Sequence, residues 1–102
     1  MAQRHFLAAI GDLPPAGGKA FTVAGRRIAV FKVEGSYFAI DDLCTHDQAS
    51  LAEGTLEGST VVCPWHAAEF NVKTGEVLCP PAAENVRSYP VFVHGDSAEI
   101  EI

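Results

Sequence analysis

Short segments rich in β-branched and aromatic residues run along the whole chain, separated by Gly, Pro and acidic residues. No window of about eleven residues or more holds a 3.6-residue apolar period, so the pattern predicts an all-β chain. The last segment shows the two-residue period of a strand with one solvated face, because Ala98 and Ile100 alternate with Glu99 and Glu101. We predict strands over residues 4–10, 19–23, 26–33, 36–41, 60–62, 69–72, 76–78, 86–93 and 98–102.

Glycine-containing dipeptides separate many of these segments. Glycine adopts the positive φ that tight reversals need, so the dipeptides predict antiparallel hairpins. They are Ala24-Gly25, Glu34-Gly35, Glu57-Gly58, Thr74-Gly75 and Gly95-Asp96.

Two stretches break the hairpin pattern. Residues 43–56 show no strand period and are predicted to form a long ordered loop, which is usually functional in a compact domain. Residues 79–85 contain Pro80-Pro81 and cannot form a central strand, because proline donates no ladder hydrogen bond.

Length and charge narrow the class of protein. A chain of 102 residues is expected to form one domain, residues 1–102. A net charge of −6 disfavours binding to nucleic acid or to anionic lipid. The longest apolar run near the start, residues 6–10, is too short for a signal peptide, and no run approaches the length needed to span a bilayer. We therefore expect a cytoplasmic protein with no membrane partner.

The cysteines carry the strongest chemical signal. Three cysteines are too few for a disulfide framework, which favours metal ligation or a reducing compartment. Two of them lie beside histidines, in Cys44-Thr45-His46 and in Cys63-Pro64-Trp65-His66. Each segment offers one thiolate and one imidazole, a donor set that fits zinc or an iron–sulfur cluster.

The mixed composition of each segment favours two metals over one. Zinc sites usually take two cysteines from one knuckle and two histidines from the other. In a Rieske-type [2Fe-2S] cluster, two cysteines hold one iron and two histidines hold the other. A zinc-stabilised interaction module remains an alternative.

Three segments resemble a known family. They are CTHDQASLAEG, LEGSTVVCPWHAAEFNVKTGEVL and CPPA, and they are similar to the two cluster loops, the hairpin between them and the proline loop of Rieske ferredoxins from bacterial aromatic-ring-hydroxylating dioxygenase systems. The resemblance covers the whole chain, more loosely outside these segments. One departure is Ala67, where a glycine commonly follows the second histidine.

The resemblance implies a Rieske fold, in which antiparallel sheets form a base and carry a small cluster-binding subdomain, approximately residues 42–82. It implies one [2Fe-2S] cluster, with Cys44 and Cys63 on the inner iron and His46 and His66 on the outer, exposed iron. The cysteine that remains, Cys79, is then expected to be a buried or half-buried free thiol.

The resemblance also implies a function. The chain is expected to be a monomeric one-electron carrier between an NAD(P)H-dependent flavoprotein reductase and a terminal aromatic-ring dioxygenase. It is not expected to be an enzyme, because the oxygenases add an iron held by two His and a carboxylate, and only His5 and His94 lie outside the motif. A second alternative is the Rieske small subunit of a nitrite-reductase-like complex.

The surroundings of the motif lead to three further expectations. Ala67 and Ala68 follow His66 and offer no hydroxyl to a cluster sulfide, so we expect a potential at the low end of the Rieske range of about −150 to +300 mV. Trp65 and Phe70 are expected to have structural roles. An apolar ring formed by Pro64, Trp65 and Pro80-Pro81 is expected to exclude water at the contact with a partner.

Overall fold

Antiparallel β-structure makes up most of the protein, as the sequence predicts. The computed structural model describes residues 3–44, 49–65, 68–79 and 84–102. Within these ranges, eleven strands form three sheets and there are two short 3-10 helices, Ile10–Asp12 and Leu51–Glu53. None of the helices in this part of the chain is long and apolar enough to cross a membrane. The strands are β1 (Arg4–Ala9), β2 (Gly18–Val23), β3 (Arg26–Val33), β4 (Ser36–Asp41), β5 (Thr55–Glu57), β6 (Thr60–Val62), β7 (Glu69–Asn71), β8 (Val77–Cys79), β9 (Ser88–Tyr89), β10 (Val91–His94) and β11 (Ser97–Glu101).

The central sheet has the strand order β2-β3-β4-β9 and is built around two tight hairpins. The first hairpin pairs Val23 with Arg26, and the second pairs Val33 with Ser36. Both connecting dipeptides have positive φ at their two positions, 51° and 77° in the first and 51° and 82° in the second. The predicted reversals are therefore confirmed, and they set the register of the whole sheet.

A separate hydrophobic core packs on each face of the central sheet. Side chains of a strand alternate between its two faces, so Ala29 and Phe31 of β3 lie in one core while Ile28 and Val30 lie in the other. Burial on both faces explains why β3 is a continuous apolar run instead of an alternating one.

The two cores join different parts of the chain to the central sheet. The core that contains Phe31 also contains residues of the sheet β5-β6-β7-β8 and of the segments around Cys44 and Cys63. The core that contains Val30 joins the sheet β1-β11-β10 through Leu7 and Ile100. The sheet β5-β6-β7-β8 and the cysteine-bearing segments therefore pack together on one face of the central sheet.

The structure corrects two of the predicted elements. The range 43–56, expected to have no strand, contains a 3-10 helix and β5, which pairs with β6. Only the middle residue of β5, Leu56, is apolar, so the strand has no recognisable period. The strand predicted over 86–93 is divided into β9 and β10 by Pro90, which has no N–H for a ladder.

Candidate metal centre

Cys44 and Cys63 begin two segments that close in the same way. The backbone N–H of Cys44 donates to the carbonyl of Ala49 at 2.9 Å, and the N–H of Cys63 donates to the carbonyl of Ala68 at 2.7 Å. Both bonds run from a residue to the carbonyl of the fifth residue after it. The segments 44–49 and 63–68, named here the first loop and the second loop, therefore have matching ends despite their different sequences.

Both cysteines lie inside the protein and in the same hydrophobic core. Cys44 is 1% exposed and Cys63 is 2% exposed, and the loop ends Ala49 and Ala68 are buried beside them. As metal ligands the two sulfurs would be thiolates, and burial penalises an anion that has no positive charge close by. Ligation to iron supplies that charge, so the position of the two cysteines fits a metal centre.

The two histidines of the motif, His46 and His66, lie outside the described residues, as do Ala67 and Pro80-Pro81. In sequence, each histidine falls between the two ends of one loop. Within the ranges that are described, no group of three His, Cys, Asp or Glu side chains is placed to hold a metal ion. The donor set of two thiols and two imidazoles nevertheless matches what a [2Fe-2S] cluster with two histidine ligands requires.

Sequence reasoning missed Asp42, two residues before Cys44. Its side chain is fully buried, and among the residues that the structure describes it is the one charged residue that is buried. In the sequence it follows Asp41 at the end of a strand, a position at which acidic residues are usually solvated. The signal that could have found it is the pair of neighbouring aspartates, since consecutive side chains at a strand end point to opposite faces.

The aromatic residues near the motif differ in burial. Phe70 is fully buried in the core with the two cysteines, which confirms a structural role. Trp65 is 58% exposed, so it is a surface residue and not part of the core. Next to it, Pro64 is also exposed. Residues 64 and 65 therefore form an exposed apolar surface within the second loop.

The remaining cysteine and the two histidines outside the motif lie in strands and not in the two loops. The backbone of Cys79 ends β8 opposite Glu69, and its side chain is outside the described residues, so the free-thiol prediction stays a prediction. Nε2 of His94 lies 3.4 Å from a carboxylate oxygen of Glu99 in the sheet β1-β11-β10. His5 lies in β1 of that same sheet, paired with Ile100.

Known proteins are similar to this chain in sequence. The Rieske [2Fe-2S] domain family matches residues 3–90. The ferredoxin component of the naphthalene 1,2-dioxygenase system of Pseudomonas aeruginosa is 38% identical over 94 residues, which are 92% of this chain and 90% of that protein. The ferredoxin subunit of 3-phenylpropionate/cinnamic acid dioxygenase of Shigella boydii is 42% identical over 101 residues, which are 97% and 93% of the two chains.

A solved structure gives the same result. A chain in the complex of reduced oxygenase and oxidized ferredoxin of carbazole 1,9a-dioxygenase superposes with a TM-score of 0.85 at 32% identity, over 95% of this chain and 91% of that one. Together the similarities confirm the predicted resemblance and the all-β Rieske fold. They also confirm that the chain is an electron carrier and not an oxygenase. The buried cysteine pair, the fold and the family match lead to one conclusion: the chain belongs to the Rieske [2Fe-2S] domain family and is a ferredoxin that binds one [2Fe-2S] cluster.

Proposed function

We propose that this ferredoxin accepts one electron at a time from an NAD(P)H-dependent flavoprotein reductase and passes it to a terminal aromatic-ring dioxygenase. Its cluster ligands are Cys44, His46, Cys63 and His66, and the cluster-binding part of the chain spans approximately residues 42–82. The protein acts as a cytoplasmic monomer. The observation that carries the ligand assignment is the pair of buried cysteines, each of which closes its loop with the same backbone hydrogen bond.

The burial of the cysteines supports different roles for the cysteine and the histidine ligands. Cys44 and Cys63 lie in the core, so they hold the inner iron away from water. The histidines hold the outer iron, which is the side that exchanges electrons with a partner. When bound, the cluster supplies one-electron redox chemistry at a potential raised above that of all-cysteine clusters, because neutral imidazoles replace two anionic thiolates.

The surface of the protein supports brief contacts with two partners in turn. The net charge of −6 steers the carrier towards basic patches, and such redox contacts are small and weak. Exposed Trp65 and Pro64, which precede His66 in the sequence, give an apolar surface where contact with a partner excludes water. An oxygenase as one partner is supported by the similar ferredoxin that is found in complex with its oxygenase.

Cluster spectra of matched histidine variants test the ligand assignment. Purified wild-type protein is expected to be red-brown, to bleach with dithionite and to give an S = 1/2 EPR signal. His46→Ala and His66→Ala should each lose the cluster, because an iron ligand is missing. His94→Ala is the control, since His94 is exposed and lies with its contact Glu99 in the sheet β1-β11-β10, which does not carry the two loops.

Two results would contradict the proposal. A stable, native cluster spectrum in His66→Ala would remove that residue from the ligand set. A colourless wild-type protein with one bound zinc would make the four residues a structural site with no redox role. Stopped-flow oxidation of the reduced ferredoxin by a purified dioxygenase tests the direction of transfer separately, and absence of oxidation would remove the dioxygenase as partner.

A further inference from the structure

The first and second loops differ in how their ends are held. The second loop leaves β6 and enters β7, and these strands pair in a regular ladder in which Val62 faces Glu69. The first loop leaves the end of β4 and is followed by a 3-10 helix. Between its flanks there is only an isolated bridge, Leu43 with Ser50, in the described part of the chain. The first loop therefore needs another source of rigidity.

Asp42 supplies bonds at this position. Its carboxylate oxygen Oδ1 accepts from the Ser50 hydroxyl and from the Ala52 N–H, both at 2.9 Å. Its backbone carbonyl accepts from the N–H of Leu51 at 2.6 Å. One residue before the loop therefore binds three successive residues after it.

The other carboxylate oxygen of Asp42 bonds this residue to the central sheet. Oδ2 accepts from Nε of Arg27 at 2.5 Å, and the backbone N–H of Asp42 donates to the carbonyl of Arg27 at 3.1 Å. The Asp42 side chain is fully buried while that of Arg27 is 54% exposed, so the guanidinium brings charge compensation from the surface. Both carboxylate oxygens are thus used, each on a different element.

We infer that Asp42 is a positioning residue for the cluster. Its hydrogen bonds fix the ends of the first loop, as the β6–β7 ladder fixes the ends of the second loop. It acts through Cys44, two residues away, whose N–H closes the loop on Ala49. The inference rests on the proposed role of Cys44 as a ligand. The side-chain bonds of Asp42 replace the missing ladder and set where the Cys44 sulfur lies.

Asp42→Asn is the sharpest perturbation because it preserves the shape of the side chain. The carboxylate accepts on both oxygens, whereas asparagine offers one acceptor and one NH₂ group. In either orientation of the amide, its NH₂ group faces a donor, Arg27 on one side or Ser50 and Ala52 on the other. We expect cluster release to a chelator to accelerate at least tenfold, equivalent to about 1.4 kcal/mol. We also expect the EPR g-values of the reduced protein to shift.

Three further variants separate positioning from simple stability. Ser50→Ala removes one donor and retains the charge, so it should move the g-values in the same direction by less, and it tests the inference even if Asp42→Asn folds poorly. Val30→Ala destabilises the core on the other face of the central sheet and should lower the unfolding temperature with unchanged g-values. Asp96→Asn removes an exposed charge and should resemble the wild type.

The outcomes distinguish this inference from the proposed function. If reduced wild-type holoprotein gives no [2Fe-2S] signal, the ligand proposal fails and the inference fails with it. If the wild type gives the signal and Asp42→Asn and Ser50→Ala retain its g-values and release rate, the ligand proposal stands and the inference is wrong. Altered g-values in both variants, with those of Val30→Ala unchanged, are the expected result.

Discussion

Gly75 combines a special backbone conformation with a crowded site, so its replacement should be unusually costly. It has φ of +80°, and its N–H donates to the carbonyl of Asn71 at 2.7 Å. Its own carbonyl accepts from the N–H of Val86 at 2.9 Å. A Cβ at this position would lie 2.1 Å from the Val86 carbonyl oxygen, which is backbone and cannot rotate away. Gly75→Ala must therefore displace the segment around Val86.

The magnitude can be worked out against a matched glycine. Gly58 also has positive φ, +62°, but nothing lies within 4 Å of an added Cβ. Gly58→Ala should thus cost only the left-handed backbone strain, about 1–2 kcal/mol. Gly75→Ala adds the lost Val86 hydrogen bond and the displacement of a buried residue, about 1–3 kcal/mol more.

Thermal unfolding of the oxidised holoprotein measures the difference. For a domain of this size, 1 kcal/mol corresponds to about 4–8 °C in Tm, so Gly75→Ala should unfold at least about 4 °C below Gly58→Ala. Because cluster loss makes unfolding irreversible, the variants are compared at one scan rate. Equal shifts for the two variants would refute the argument, since they would show that the close approach of Val86 contributes nothing beyond backbone strain.

Two further predictions concern a tyrosine and the exposed tryptophan. Burial raises the pKa of Tyr89 above its ordinary value of 10.0, and the hydrogen bond that its hydroxyl donates to Asp41 at 2.6 Å raises it further. The protonated phenol therefore stabilises the fold below about pH 10, and this contribution is lost as the pH rises through the higher, folded-state pKa. Absorbance titration of tyrosinate should show the raised pKa, and Asp41→Asn should bring it closer to 10.0. An unchanged pKa in that variant would exclude the hydrogen bond as a cause. Trp65→Ala should slow stopped-flow electron transfer to reductase or oxygenase, while Phe6→Ala, at a slightly more exposed aromatic in β1, should not. Equal rates in the wild type and both variants would remove Trp65 from the contact surface.

Most strands, the hairpins and the metal-binding motif follow from the sequence because their causes are local. Alternation, β-branched residues and glycine pairs act over a few residues, and β3 and β4 begin and end where the pattern places them. The cysteine–histidine spacing is likewise local and identifies the family without a structure. Where local signals are weak or competing, as at Leu56 in β5 or at Pro90, the prediction and the structure differ.

Other properties depend on residues far apart in sequence. Gly54 has ordinary backbone angles, and only the fold shows that an added Cβ would lie 2.2 Å from the carbonyl oxygen of Val62. Asp42 looks like a solvated turn residue until Arg27 and Ser50 are brought against it. The sequence by itself indicated the class of fold and the candidate donor set, because these depend on composition and short spacing, and its resemblance to Rieske ferredoxins implied the carrier role. Tertiary structure alone decided which groups are buried and which distant residues the Asp42 carboxylate binds, because burial and side-chain hydrogen bonds of this kind arise only when distant segments pack together.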